Sequence, residues 1–368
     1  MKESPFYKVE KFDVLRGIAI ISVFLYHNLI NYYSILNYPY YRGRLNFEIL
    51  NKADFFIFFF PFTYGWIGVQ LFLIISGFLI HLSYLKGGGE FSVKSFFNKR
   101  FWRIYPPYIV FLLIFCIWFG VSRIDLNNFI LHILLLQNFS RNYVYSINGA
   151  YWSLALEAQL YFIYPFFLLL LKKIGINYLL ILLIALNLIF SIYEGVCHIN
   201  PMSDIVFTAF VLKSWVIWGM GAWLSNFYFQ NKKIKISFPV VFVFIVGFYV
   251  IFFFQVLLHF VYLYVSVFLV YLIASYISTK NSLSKIEVWL SRVGKISYSF
   301  YLIHGPLINI LRFGLQKHFS FIPINYCTTS IFSFGIIYLI SEVSYNYLEK
   351  PSIEIGKRFY KKFQSHIL

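Results

Sequence analysis

The chain has 368 residues, of which 60% are hydrophobic, 23% aromatic and only 12% charged, with a net charge of +17 and a mean hydropathy of +0.72. That composition excludes an ordinary soluble domain and predicts an all-α, polytopic integral membrane protein. Three scattered cysteines (Cys116, Cys197 and Cys327) with no CxxC pattern exclude a disulfide framework or a cysteine metal site as the organising principle.

Ten apolar segments are predicted to span, at roughly 12–32, 65–85, 104–122, 153–171, 177–193, 205–229, 237–254, 256–279, 295–314 and 324–346. The first follows a charged N-terminus and is long enough to span by itself, so no cleaved leader is expected. Of the 31 Lys and Arg, Arg42, Arg44, Lys52, Arg123, Arg141, Arg312 and Lys317 fall in one set of alternate loops and Lys213 falls within a span. The others gather on the opposite side, which the positive-inside rule makes cytoplasmic together with both termini. Topology thus accounts for most of the positive charge, and no nucleic-acid partner is expected. With no Pro/Ser-rich linker and no internal repeat, residues 1–368 read as one transmembrane domain.

The first span carries FDVLRGIAIISVFLYH, with Arg16 and His27 eleven positions apart. Eleven residues make about three turns, so the two share a helix face roughly 16 Å apart. Ionisable groups are costly inside a span, so this alignment suggests an anion-binding group at the membrane surface and a proton-transfer group deep within. The plainer readings are a topology anchor for Arg16 and a packing role for His27. Asp13, three residues earlier, is placed to hold the Arg16 guanidinium. The loop at 33–64 follows, with its FFIFFFPF run.

Lys99-Arg100-Phe101-Trp102-Arg103 opens the third span from the cytoplasmic side. Arg100 and Arg103, one turn apart, can grip phosphates, although lipid headgroups and topology explain such a cluster equally well. In the loop at 123–152, FILHILLLQ is too short to span and predicts a surface or re-entrant helix. Tyr151-Trp152-Ser153-Leu154-Ala155-Leu156-Glu157 enters the fourth span from outside, with Ser153 and Glu157 on one face. A carboxylate at that depth needs a partner. Its depth resembles that of His27, and a His–Glu pair would orient the imidazole for general-base work. Lys213 in the sixth span reads either as an internal counter-charge or as a contact to acceptor oxygens. In the ninth, Ser297, Tyr301 and His304 form one polar stripe, where His304 either meets substrate or packs.

There is no Gly-rich phosphate loop, HExxH, GxSxG or metal-type carboxylate cluster. Gly87-Gly88-Gly89 follows a span and reads as a turn.

In order along the chain, FDVLRGIAIISVFLYH, GVQLFLIISGFLI (68–80), RFWRIYPPY (100–108), YWSLALEAQLYFIYP (151–165), ISYSFYLIHGPL (296–307) and YLEKP (347–351) resemble the membrane acyltransferase-3 family, which includes bacterial O-antigen and exopolysaccharide O-acetyltransferases. The resemblance implies acetyl transfer from cytoplasmic acetyl-CoA to a glycan hydroxyl on the outer side of the bacterial inner membrane. It implies His27 and Glu157 as catalytic residues, and Arg100 and Arg103, with Arg16, as donor-binding residues. Trp152, Ser153, Lys213, Tyr301 and His304 are then acceptor-binding or supporting, and no metal or resident cofactor is expected. Gln70 departs from the Asp of many relatives, and Lys213 from their Arg. The hydrolase-like extra domain of some relatives is not expected. A lipid-linked saccharide transporter and an outward-facing glycan polymerase are the competing readings.

Overall fold

Long apolar runs bounded by Gly, Pro and short polar stretches dictate helices, and a computed structural model of the chain contains little else. It describes residues 5–33, 61–120, 124–200, 204–279, 282–318 and 326–364. Residues 55–60 of the aromatic run in the 33–64 loop, together with Arg42, Arg44, Lys52 and Arg123, lie outside the described residues. The helices are α1 (Pro5–Tyr33), α2 (Ile67–Lys86), α3 (Val93–Phe119), α4 (Leu126–Ile133), α5 (Tyr151–Val196), α6 (Val211–Phe229), α7 (Phe238–Phe253), α8 (Val261–Ser278), α9 (Lys285–Lys295), α10 (Ser297–His318), α11 (Tyr326–Ser344) and α12 (Lys350–Gln364). No strand occurs among the described residues, and all ten predicted segments fall on helices, so the all-α polytopic expectation is borne out.

Among the described residues, six helical stretches are long and apolar enough to cross a membrane. Side chains such as Phe162, Leu169, Ile189 and Val267 stand exposed along them, which water would penalise and hydrocarbon does not. Three predicted spans fall short of that measure, α6 and α10 because they carry polar residues and α7 because it has only 16 residues. Nearly all of α6 from Lys213 to Ser225 is buried within the protein. The fourth and fifth predicted spans form the single run α5, broken where Gly175 takes φ 78° and ψ 164°. A positive φ there favours glycine, and the break splits 46 residues into two lengths that each match a bilayer.

Helix α4 confirms the short helix expected in the 123–152 loop. The Asp125 carboxylate caps it by accepting from the Asn128 N–H at 2.9 Å.

The chain folds as two units interleaved in sequence. The first comprises residues 1–89 and 162–294, the second residues 90–161 and 295–368. In the first, α2 packs along α6, and α1 and α8 pack on this pair. Glycine makes the approach possible: a Cβ on Gly17 would lie 2.1 Å from the Leu290 carbonyl oxygen, and one on Gly294 1.7 Å from that of Asp13. Thus α1 and α9 touch backbone to backbone beside Arg16. Ser284 and Glu287 form a reciprocal capping box at the start of α9. The Ser284 N–H bond to the carboxylate, with one from the Tyr276 hydroxyl, holds the Glu287 carboxyl below its ordinary value.

In the second unit α10 packs on α11, and α12 packs on α3. The core is built on Tyr108, Tyr151 and Phe300, all fully buried. A π-helical turn, Tyr345–Glu349, joins α11 to α12 and buries Glu349. Its carboxylate accepts from the Ser299 hydroxyl at 2.9 Å.

Candidate active site

Each unit presents its own polar machinery. In the first, α1 is an unbroken helix, so Arg16 and His27 share one face as the spacing predicts. Arg16 donates to Asp13 at 3.0 Å, the expected i,i+3 pair. His27 is half-buried and packs beside Tyr26, with ring centroids 5.7 Å apart.

The first unit also gathers a buried ionic cluster. Lys213 Nζ donates to Glu194 Oε1, with both side chains almost wholly shielded. His259 Nδ1 lies 3.6 Å from Glu194 Oε2. Of the two roles open to Lys213 in the sequence, the structure supplies the counter-charge. Neither Glu194 nor His259 was legible as its partner, because they lie 19 and 46 residues away across two turns between helices.

A further buried histidine, His81 of α2, sits 3.2 Å from the Tyr164 hydroxyl.

In the second unit, Arg100 and Arg103 lie on the first turns of α3, both half-buried. The Arg100 guanidinium lies over two aromatic faces, 5.4 Å from the Tyr161 ring centre and 5.6 Å from that of Phe96. The Tyr161 hydroxyl donates to Glu157 Oε1 at 2.5 Å. One phenol therefore connects the arginine of one motif to the carboxylate of another. Tyr161 escaped the sequence argument, although its i+4 spacing from Glu157 is the one local signal for it. Arg103 makes no ion pair among the described residues.

Ser153 and Tyr301 come together as well, their hydroxyls 2.7 Å apart. Tyr301 also donates to the Ala150 carbonyl. His304, fully buried, turns Nδ1 to the Tyr301 carbonyl at 2.8 Å, one turn back on its own helix. That geometry fits the packing role considered for it. Trp152, next to Ser153 in sequence, is half-buried on α5.

The 123–152 segment is fastened to these elements through buried amides and phenols. Tyr105 and Tyr108 of α3 donate to the Ile133 and His132 carbonyls at 3.0 and 2.8 Å. Asn148 donates to the Leu302 carbonyl at 2.9 Å, and Gln159 to Leu135 at 3.0 Å. His132 is buried against its own helix, with Nδ1 2.9 Å from the Asn128 carbonyl, and burial pushes its pKa down.

The predicted catalytic residues fall in different units, His27 in the first and Glu157 in the second. The predicted donor-binding residues divide likewise, Arg16 from Arg100 and Arg103. Among the described residues no cluster of His, Cys, Asp and Glu has the makeup of a metal site.

Residues 9–342 match the family of the acyltransferase domain, acyltransferase-3. The peptidoglycan O-acetyltransferase OatA of Listeria monocytogenes is 25% identical over 225 residues, an alignment covering 53% of this chain and 30% of that protein. The chain thus spans about a third of that relative's length. No solved structure matches it.

Proposed function

The chain belongs to the acyltransferase-3 family, and from that premise we propose that it is an O-acetyltransferase of the bacterial cytoplasmic membrane. It moves an acetyl group from cytoplasmic acetyl-CoA to a hydroxyl of a cell-surface or lipid-linked polysaccharide on the outer side. Peptidoglycan, the polysaccharide in the name of the Listeria relative, is the first acceptor to test.

The observation that carries this reading is the run Arg100–Tyr161–Glu157. A guanidinium suited to phosphate stands one phenol away from a carboxylate suited to handling a proton. Arg100 and Arg103, with Arg16, hold the phosphates of CoA. His27 and Glu157 are the catalytic groups. The His27 imidazole removes the proton from the acceptor hydroxyl, and the oxygen attacks the thioester carbonyl. Collapse of the adduct breaks the carbon–sulfur bond, and the departing CoA thiolate takes up the proton from His27. Positioning of the two substrates supplies much of the acceleration, and general-base catalysis adds typically about 10²–10⁴-fold. Trp152, Ser153, Lys213, Tyr301 and His304 bind or support the acceptor.

Inverted membrane vesicles bearing the protein and native glycans test this. With labelled acetyl-CoA supplied, wild type should label glycan, His27→Ala should not, and Arg103→Ala should need more acetyl-CoA. Full transfer by folded His27→Ala would sink the scheme.

A further inference from the structure

The last turns of α5 present Asn187, Ser191 and Glu194 at i, i+4 and i+7, a single helix face in the first unit. All three are buried, at 3%, 1% and 0% exposure. Lys213 closes one side: its Nζ binds Glu194 Oε1, and its carbonyl accepts from Asn187 Nδ2 at 2.8 Å. His259 closes another, and is the member of the cluster that reaches the surface, with 15% of its side chain exposed.

This face is incompletely satisfied. Asn187 Oδ1, Ser191 Oγ, Glu194 Oε2 and His259 Nδ1 are all buried without a hydrogen-bond partner. Buried polar atoms are paired in roughly nine cases out of ten, so four on one small surface call for a missing group. Its chemistry follows from theirs. Lys213 cancels the charge of Glu194, and a neutral imidazole leaves the set with no net charge, so neither a phosphate nor a metal cation is matched. The amide and carboxylate oxygens only accept, the serine oxygen is able to, and His259 Nδ1 faces Glu194 Oε2 at 3.6 Å. Each hydroxyl donates one hydrogen, and Asn187 and Glu194 stand about two turns apart, so the complement is a neutral group with more than one O–H, one of whose oxygens takes a spare N–H of Lys213.

We propose that Asn187, Ser191, Glu194, Lys213 and His259 form a binding site for neutral hydroxyls. Building on the acetyltransferase reading, those hydroxyls belong to the acceptor sugar, held at positions other than the one acetylated. A bound water offers the same chemistry, and the experiment separates the two sources.

The test uses the full-length protein in detergent with labelled acetyl-CoA and soluble peptidoglycan fragments as the acceptor probe. Ser191→Ala removes one unpaired hydroxyl and breaks no existing bond. It should raise the KM for fragments about three- to tenfold, the worth of one neutral hydrogen bond, and leave the KM for acetyl-CoA and the Tm unchanged. Glu194→Gln should raise it further. A Ser191→Ala variant with lowered Tm and unchanged fragment KM would assign the site to a structural water and overturn the proposal. Binding is read separately, as protection of wild type from heat by fragments without acetyl-CoA. Protection of wild type that weakens in Ser191→Ala supports the site even where no label moves, an outcome that fails the transferase reading alone. Wild type that fragments neither protect nor accept label from overturns the sugar assignment.

Discussion

Helix α5 carries a glutamate near each end, and the protein treats them in opposite ways. Glu194 is wholly buried and bound directly to Lys213. Glu157 is half-buried and bound to the hydroxyl of Tyr161, whose ring in turn lies beneath Arg100. A carboxylate locked to a lysine in a low-dielectric interior is fixed in place, and removing either partner leaves the other uncompensated. A carboxylate held by a neutral phenol keeps lone pairs free for another proton. The first arrangement suits holding a group still, the second suits chemistry.

The largest test breaks the Glu194 end. Lys213→Met should cost about 3–5 kcal/mol, read as a lowered unfolding temperature in detergent, because a buried carboxylate loses its counter-charge. Lys213→Met combined with Glu194→Leu should recover most of that loss. A single variant as stable as wild type would show the pair to be solvated.

Breaking the Glu157 end should affect rate more than stability. Tyr161→Phe keeps the ring under Arg100 and deletes the hydroxyl, so kcat should fall about tenfold with the acetyl-CoA KM unchanged. Tyr161→Leu removes the ring as well and should raise that KM about fivefold, within the range of a part-buried cation–π contact. Equal effects of the two variants on KM would dissolve the contrast between the ends of α5.

A smaller effect should come from behind the arginines. A Cβ on Gly356 of α12 would lie 2.5 Å from the Cβ of Trp102, which stands between Arg100 and Arg103. Asn98 donates to the Gly356 carbonyl at 3.0 Å and Ser352 to that of Trp102 at 2.5 Å, so α12 is a brace for the arginine turn. Gly356→Ala should cost about 1–3 kcal/mol of stability and raise the acetyl-CoA KM with little change in kcat.

The smallest concerns pH. His132 is buried and neutral, with its folded pKa below the ordinary 6.5. Below pH 6.5 the unfolded chain binds the proton that the folded chain refuses, so stability is present above that pH and declines as pH falls. His132→Gln should flatten the slope of Tm between pH 7.5 and 5.

Much of this molecule was legible in its order of residues. The ten apolar segments all became helices, the Arg16–Asp13 pair formed as its spacing implied, and the short helix of the 123–152 loop appeared with its Asp125 cap. The stripe of Ser297, Tyr301 and His304 was visible too, though not that Tyr301 would reach Ser153 across 148 positions. Glu349 passed unnoticed within a recognised motif, because nothing local distinguishes a buried glutamate from a solvated one beside a lysine.

The division has a physical cause. Helix length, amphipathic period, caps and i,i+4 pairs depend on residues within a few positions of one another, so the sequence by itself determined the all-helical membrane architecture and pointed to the residues proposed to carry the chemistry. Partnership between helices depends on which faces pack, where glycines let backbones approach, and which buried charge finds its opposite. Only the tertiary structure decided that Lys213 serves Glu194, that Tyr161 stands between Arg100 and Glu157, and that atoms of Asn187, Ser191 and Glu194 are buried without a hydrogen-bond partner.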